Sequence, residues 1–299
     1  MTPLVAPIEP ALAEAAAFTE NTLDALLPQP AGPEARVIEA MRYATLGGGK
    51  RLRAFLVLQS GRLFSVDRRA LGRVAAAVEC LHAYSLAHDD LPAMDDDAIR
   101  RGKPSLHMAF DEATAILAGD ALLTLAFGLL ASPETHGDPY VRCELITRLA
   151  HAAGHAGMVG GQMMDLSFEG ETPPLPEVTR LQRMKTAALI TFCCEAGAIM
   201  GKASASARAA LVAYGLDLGL AFQIADDLLD LEGDPKEMGK PAGKDKARAK
   251  ATVVSSLGVE RARAQAEALA SQAPRHLDLF DEKADLLRAA ARFAVTRRA

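Results

Sequence analysis

Apolar residues recur at intervals of three and four along most of the chain, which is the spacing of one face of an α-helix. One such helix should begin after an N-capping Ser204 or Ser206 and end at Gly233. Its apolar stripe is formed by Leu211, Tyr214, Leu218, Phe222, Ala225 and Leu229. A second helix should start at Pro176 and run through Ala203. Because β-branched runs and two-residue hairpin turns are nearly absent, the pattern predicts an all-α fold.

The helical pattern is interrupted most clearly at Pro30–Pro33, Ser132–Pro139, Glu169–Pro176 and Gly233–Gly243. No fixed-period repeat and no low-complexity linker divides the chain, so we expect residues 1–299 to form a single all-helical domain. The most hydrophobic stretch, Ala113–Ala131, carries Asp120 at its middle. It should therefore be a buried core helix and not a membrane span.

Composition narrows the possible functions. Half of the 299 residues are hydrophobic, and the net charge of −5 argues against a protein that binds nucleic acid or an anionic membrane. No Lys or Arg precedes Arg36, and Glu9 and Glu14 interrupt the apolar start, which argues against a signal peptide. We therefore expect a cytoplasmic protein without a membrane span.

The cysteines do not suggest a zinc site. Cys80, Cys143, Cys193 and Cys194 show no CxxC spacing, and all four lie in apolar helical stretches. We expect ordinary buried thiols in a reducing cytoplasm.

Two acidic clusters stand out, the first over His88–Asp97 and the second over Phe222–Asp230. In the second, steps of about 100° per residue place Gln223, Asp226, Asp227 and Asp230 on one helix face. Like charges one turn apart destabilise a helix, so a cation must compensate them. The ordinary alternative is a solvated acidic face. Against it, both clusters follow apolar helical segments and lack the interleaved opposite charges of such a face.

The first cluster contains a helix breaker. Asp89 and Asp95 would point in different directions on a regular helix, since they are about 240° apart. Pro92 cannot donate to the carbonyl of His88, so the helix should end or bulge there. A broken turn over Leu91–Met94 would return Asp95 to the side of Asp89, which suggests a shared ligand.

Carboxylate donors without accompanying His or Cys favour Mg²⁺ or Mn²⁺ over zinc. Magnesium keeps several waters and bridges one or two carboxylates to substrate phosphates. The two clusters therefore predict several divalent ions around one polyphosphate. His82 and His88 are weaker candidates as additional ligands.

Basic residues complement these clusters. Lys50 and Arg53 follow the triple glycine Gly47–Gly49 at a predicted helix start, where they would form a diphosphate grip. The glycines have neither P-loop spacing nor a preceding strand. Further cations are Arg100, Arg101, Lys185 (beside Thr186), Lys240, Lys244 and Lys250. Each alone is more typical of a solvated surface. Together with the aspartates they predict two anionic groups, one bound through metal ions and one bound directly by Lys, Arg and His82.

These motifs resemble those of the trans-isoprenyl diphosphate synthase family, most closely its bacterial farnesyl diphosphate synthases. The resemblance covers nearly the whole chain from Met41 on. It is carried by GGGKRLR (47–53), VECLHAYSLAHDDLPAMDDDAIRRGKP (78–104), ILAGDALL (116–123), GGQMMDL (160–166), MKTAALI (184–190), FQIADDLLDLEGD (222–234) and MGKPAGKDKARAKAT (238–252). It implies the isoprenoid synthase fold, with about ten core helices around a deep central cavity, and a homodimer. It also implies head-to-tail condensation of an allylic diphosphate with isopentenyl diphosphate.

The resemblance also implies roles for individual residues. The ligands of two or three Mg²⁺ ions, which Mn²⁺ can replace, would be Asp89, Asp90, Asp95, Asp226, Asp227 and Asp230. Isopentenyl diphosphate would be bound by Lys50, Arg53, His82 and Arg101, and the allylic diphosphate by Arg100, Lys185 and Lys240. The oxygens of Thr186 and Gln223 would face the developing carbocation. The C-terminal Arg297 and Arg298 match the family only weakly.

Product length should depend on the residues one turn or more before Asp89, namely Tyr84 and Ser85. In the resembling family an aromatic residue five positions before the first motif accompanies a fifteen-carbon product. The alternative for Tyr84 is a core aromatic that faces elsewhere. A twenty-carbon geranylgeranyl synthase remains an alternative, because the Pro92-Ala93 insertion also occurs there. Less favoured are a non-catalytic subunit, which would have lost acidic residues, and a terpene cyclase, which would have a different second motif.

Overall fold

The computed structural model describes residues 8–232 and 250–297, and these are almost entirely helical. The α-helices are α1 (Ile8–Leu26), α2 (Ala35–Thr45), α3 (Leu52–Arg62), α4 (Arg68–Asp89), α5 (Leu106–Ala109), α6 (Glu112–Ala131), α7 (Pro139–Ala153), α8 (Met158–Ser167), α9 (Leu175–Gln182), α10 (Ala188–Met200), α11 (Ala205–Glu232), α12 (Val253–Leu257), α13 (Val259–Gln272) and α14 (Asp285–Thr296). A π-helical turn over Arg183–Ala187 joins α9 to α10, and a 3₁₀ segment over Ala273–Ala284 precedes α14. Strands β1 (Ile99–Arg100) and β2 (Lys103–Pro104) form a short antiparallel ribbon.

The residue contacts divide the chain into two compact units. The first unit comprises Glu9–Leu58 and Val66–Ile146, and the second comprises Met1–Ile8, Gln59–Ser65 and Thr147–Ala299. The single all-helical domain expected over residues 1–299 stays a prediction.

The first unit is built around the pairing of α4 with α6. Asp67 caps α4 by accepting a hydrogen bond from Ala70 N at 2.9 Å, and Asp111 caps α6 through Thr114 N at 2.7 Å. The central turns of α4 are almost fully buried, and they are apolar except for Glu79.

Helix α6 is buried on one face only, so the buried core helix predicted for this segment is correct in part. Ile116 and Leu117 are 43% and 58% exposed. By length and composition alone, α6 and α11 are the two described helices that are able to cross a membrane. Only 44% and 56% of their apolar windows are buried, and core helices pass the same test, so this is weak evidence for a span.

The second unit is centred on α10 and α11. Ser204 Oγ accepts from Ala207 N at 3.2 Å, which confirms it as the cap predicted for α11. The helix predicted from Pro176 to Ala203 is present as an unbroken helical run from α9 to the end of α10. Buried Tyr214 donates its hydroxyl proton to Leu287 O at 2.6 Å, which ties α11 to α14.

One prediction about the thiols is wrong. Cys80, Cys193 and Cys194 are buried as expected, and burial raises the pKa of Cys80 to about 12. Cys143 is exposed instead, because it lies on the outer side of α7.

Candidate active site

The first aspartate motif forms a closed turn at the end of α4. The helix stops at Asp89, and Asp95 N donates to Asp89 O at 2.7 Å. Further along, Asp96 N donates to Leu91 O at 3.0 Å and Asp97 N to Asp90 O at 3.1 Å. The chain therefore folds back, as Pro92 predicted, and the backbones of Asp89 and Asp95 are neighbours.

Asp90 and Arg100 are engaged with each other. Arg100 Nε lies 3.0 Å from Asp90 Oδ1, and its Nη2 lies 3.3 Å from Asp97 Oδ2. Asp90 is only 2% exposed, and burial raises the pKa of its carboxyl group although the hydrogen bond from Arg100 opposes that shift. The predicted roles of Asp90 as a metal ligand and of Arg100 as a diphosphate ligand stay predictions.

A group of cations surrounds His82. Arg53 Nη1 lies 3.2 Å from His82 Nε2, so this nitrogen must accept, and the imidazole is neutral. The pKa of His82 lies well below its usual range because of burial and the nearby charges of Arg53 and Arg101. The structure thus brings together three of the four residues expected to bind isopentenyl diphosphate.

The glycine loop, Gly47–Gly49, is in close contact with Arg101. Arg101 Nη1 donates to Gly48 O at 2.8 Å, and a Cβ at Gly49, where φ is +111°, would lie 3.2 Å from Arg101 Cζ. Lys50 is exposed and precedes α3, which begins at Leu52. The single helical turn expected to join Lys50 and Arg53 is therefore replaced by an irregular bend.

Arg51 was not singled out by sequence reasoning, yet it anchors this loop. Its backbone is left-handed, with φ of 48°, and its side chain turns inward. It donates to Glu79 Oε2 at 2.9 Å and to Glu20 Oε2 at 2.6 Å, and both Arg51 and Glu79 side chains are 2% exposed. Burial disfavours the charge of Arg51, but the two carboxylates outweigh it and raise the guanidinium pKa. A buried carboxylate in α4 was the one available signal for such a partner.

The second aspartate motif includes a chain of amide and hydroxyl contacts. Gln182 and Gln223 each donate from Nε2 to one oxygen of Asp227 at 2.8 Å. Thr186 Oγ1 donates to Gln223 Oε1. The structure thus joins Thr186 and Gln223 to the aspartate face of α11, and Gln182 is a member that the sequence did not reveal.

Lys185 lies on the π-helical turn, a feature common at functional sites. Its Nζ is 2.6 Å from Asp165 Oδ2, and Lys250 Nζ is 3.5 Å from the same oxygen. Glycines on two helices allow this turn to approach their backbones. A Cβ at Gly161 would lie 2.3 Å from Lys185 N, and one at Gly219 would lie 2.6 Å from Ala187 Cα.

The remaining acidic residues of the second motif differ in exposure. Asp226 is 46% exposed and forms an ion pair with Arg297, whereas Asp230 is 4% exposed. A cavity of about 760 Å³ lies beside Asp227, Asp230 and Lys250. Lys240 and Arg298 lie outside the described residues.

The donor set fits a hard divalent cation, because both motifs offer carboxylate oxygens and no thiolate. Within residues 8–232 and 250–297, no three Asp, Glu, His or Cys side chains already converge into a metal site. Substrate phosphate oxygens would have to supply further ligands, which is how magnesium is usually held in phosphate-binding enzymes.

Tyr84 and Ser85 precede the first motif on α4. The Tyr84 ring meets the His88 ring edge-on, with their centres 4.9 Å apart. Ser85 Oγ donates to His82 O at 2.9 Å, so its hydroxyl is held against its own helix. Tyr84 is therefore the better candidate of the two for contact with a substrate chain.

Comparison with known proteins identifies the chain. The polyprenyl synthetase family model matches residues 34–287. Farnesyl diphosphate synthase of Escherichia coli is 48% identical over 251 residues, which cover 83% of each chain. The chain belongs to the polyprenyl synthetase family.

Two solved structures extend this likeness to the fold. An FPP/GFPP synthase from Zymomonas mobilis has a TM-score of 0.86 at 49% identity and covers 97% of this chain and 99% of its own. A geranyltransferase from Helicobacter pylori, complexed with magnesium and isoprenyl diphosphate, has a TM-score of 0.84 at 33% identity, with coverage of 98% and 97%. These matches confirm the isoprenoid synthase fold and the prenyltransferase class predicted from the sequence.

Proposed function

We propose that this enzyme condenses allylic diphosphates, dimethylallyl and geranyl, with isopentenyl diphosphate in a Mg²⁺-dependent head-to-tail reaction, and that its main product is farnesyl diphosphate. The observation that carries the proposal is the presence of two complete carboxylate motifs, each accompanied by its own cations. Asp89 and Asp95 share a turn in the first unit, and Asp226 and Asp227 share a helix face in the second.

The first group of cations suits a diphosphate bound without metal. Arg53 and Arg101 supply guanidinium donors beside a neutral His82, and Lys50 is exposed nearby in sequence. Charged donors of this kind bind phosphate oxygens strongly. We assign isopentenyl diphosphate to this group.

The aspartates of each motif would bind Mg²⁺ when the allylic diphosphate is present, with two or three ions in all and Mn²⁺ as a substitute. Bound Mg²⁺ supplies stabilisation of the charge that develops on a leaving diphosphate. Lys185 adds a positive charge for the same group, and Asp165 fixes its position. Thr186 Oγ1 and Gln223 Oε1 present oxygen dipoles to the cationic carbon, and the hydrogen bond between them keeps both side chains in place. The carbon–oxygen bond of the allylic diphosphate breaks, and its electron pair leaves with the diphosphate. The double bond of isopentenyl diphosphate forms the new carbon–carbon bond to the cationic carbon, and a proton next to the resulting cation passes to the released diphosphate, which restores a double bond.

The decisive experiment is incubation of the purified protein with dimethylallyl diphosphate, isopentenyl diphosphate and Mg²⁺, followed by chromatography of the dephosphorylated products. We expect a fifteen-carbon alcohol that disappears when EDTA replaces Mg²⁺. A twenty-carbon alcohol would establish the geranylgeranyl alternative. An absence of any prenyl product would contradict the proposal.

Two variants and one control test the motifs directly. Asp89→Ala and Asp226→Ala should each lower turnover by at least about 100-fold, because charge on the leaving group would lose stabilisation. Asp96→Asn is the matched control, since Asp96 is exposed within the first motif and has φ of 46°, which Asn tolerates. Near-normal turnover in either alanine variant would contradict the assignment.

We also propose a cytoplasmic homodimer. Its support is the exposed apolar face of α6, where Ile116 and Leu117 would be covered by a second copy of the chain. Leu117→Glu should produce a monomer in multi-angle light scattering. Leu279→Glu is the control, because Leu279 is 53% exposed against 58% for Leu117 but lies in the second unit. Equal masses for the two variants would contradict this interface.

A further inference from the structure

His88 lies directly against the backbone of α6. Its Nε2 is 3.0 Å from Ile116 O, and a carbonyl oxygen can only accept, so Nε2 carries the proton. A Cβ at Gly119 would lie 2.2 Å from Nε2 and 2.5 Å from Cδ2 of the same ring. Only glycine at position 119 therefore leaves room for the imidazole.

The imidazole in turn adjoins the Tyr84 ring. The two residues are one helical turn apart on α4, and their rings meet at 76° with centres 4.9 Å apart. The Tyr84 hydroxyl lies close enough to Asp89 and Asp120 for both carboxylates, after burial, to raise its pKa. The Tyr84 ring thus lies beside an imidazole that is itself seated against α6.

Because Nε2 carries the proton, Nδ1 holds the lone pair of the ring, and the weaker role considered for His88 as a metal ligand stays a prediction. The ring is held by its hydrogen bond to Ile116 O and by its contact with the Tyr84 ring. A ring held so firmly restricts the side chain next to it, because an aromatic neighbour can only rotate into space that is empty. His88 therefore fills space beside Tyr84 that the Tyr84 ring cannot occupy.

We propose that His88, seated in the gap left by Gly119, is a positioning residue that holds the Tyr84 ring across the path of the growing prenyl chain and so limits product length. This inference rests on the proposed prenyl transfer. It adds that the limit is set by three residues, Tyr84, His88 and Gly119, and not by the aromatic residue alone.

The test measures product length in variants of these residues. His88→Ala removes the ring beside Tyr84 without adding atoms, and Gly119→Ala pushes the imidazole off α6. Each should raise the ratio of twenty-carbon to fifteen-carbon product by at least about threefold. Tyr84→Ala should raise it further, and adding His88→Ala to Tyr84→Ala should change it little, because coupled residues are not additive.

The control is Gly137→Ala, since a Cβ at Gly137 meets nothing within 4 Å. The ratio of twenty-carbon to fifteen-carbon product is measured within each reaction. A loss of overall turnover or of folded protein therefore does not change this ratio. If Gly119→Ala does not fold, the product ratio of His88→Ala still tests the inference. Unchanged ratios in His88→Ala, or a full additive effect in the double variant, would overturn the inference. Absence of all prenyl products in the wild-type protein would instead overturn the proposed function.

Discussion

Arg297 ion-pairs with Asp226, and its guanidinium carbon lies 3.8 Å from the centre of the Phe222 ring. The Arg297 side chain is only 9% exposed, so this contact buries a C-terminal cation against the second aspartate motif. The carboxylate that it neutralises is one of those we assign to Mg²⁺. If Asp226 binds Mg²⁺ as proposed, Arg297 and the metal should compete for it.

Removing this arginine should strengthen metal binding. We expect Arg297→Ala to lower the apparent Kd for Mg²⁺, titrated calorimetrically in the presence of inorganic pyrophosphate, by about two- to fivefold, since an ion pair whose carboxylate is solvent-exposed contributes up to about 1 kcal/mol. Arg292→Ala, an exposed arginine on the same helix, should leave the Kd unchanged. An equal or weaker affinity in Arg297→Ala would show that the two cations do not compete.

The buried ion pair between Arg51 and Glu79 should dominate the stability of the first unit. Glu79→Gln leaves a buried guanidinium without its main counter-charge, and we expect a loss of about 3–5 kcal/mol in the free energy of unfolding. Urea denaturation followed by circular dichroism measures it. Glu14→Gln breaks an exposed pair with Arg68 and should cost less than about 1 kcal/mol. Equal losses in the two variants would contradict the role given to Arg51.

The π-helical turn should tolerate no side chain at Gly161. Because a Cβ there would lie 2.3 Å from Lys185 N, Gly161→Ala must displace the backbone that carries Lys185 and Thr186. Displacements near 1 Å at a reacting centre cost about 100-fold in turnover, and we expect a loss of that order. Steady-state kinetics measures it, with Gly137→Ala as the control. Turnover within threefold of wild type would disprove the steric argument.

His82 should make the protein acid-sensitive. Its folded-state pKa lies below the unfolded value, so the stability linked to the neutral imidazole is complete above about pH 6.5 and is lost as pH falls towards the folded pKa. Melting temperatures recorded between about pH 7.5 and 5 should fall more steeply for wild type than for His82→Gln, which cannot be protonated. Parallel curves would show that His82 is not the responsible group.

Much of the helical framework followed from local rules. Ser204 caps α11 as its position predicted, and Pro92 ends α4 within three residues of the expected break. These features depend on neighbours in the chain. The carboxylate clusters predicted divalent-cation binding, and the resemblance to known synthases then suggested a ligand role for each aspartate, which stays a prediction.

Other features depend on residues far apart in sequence. Lys50, Arg51 and Arg53 look alike in a linear pattern, and only the partner Glu79, 28 residues away, reveals that Arg51 turns inward. The π-helical turn depends in the same way on Gly161 and Gly219 in two other helices. The exposure of Cys143 depended on which face of α7 is covered, and its apolar surroundings did not determine this.

The inward anchoring of Arg51 has a consequence for how quickly an anion can be captured and released. Because Arg51 holds the loop to Glu79 and Glu20, the main chain would need little rearrangement when the proposed anion binds at Lys50 and Arg53. Release of the anion should likewise require little rearrangement of the loop. Such a rigid binding loop suits the proposed enzyme, which must bind a new isopentenyl diphosphate for every five-carbon unit that it adds.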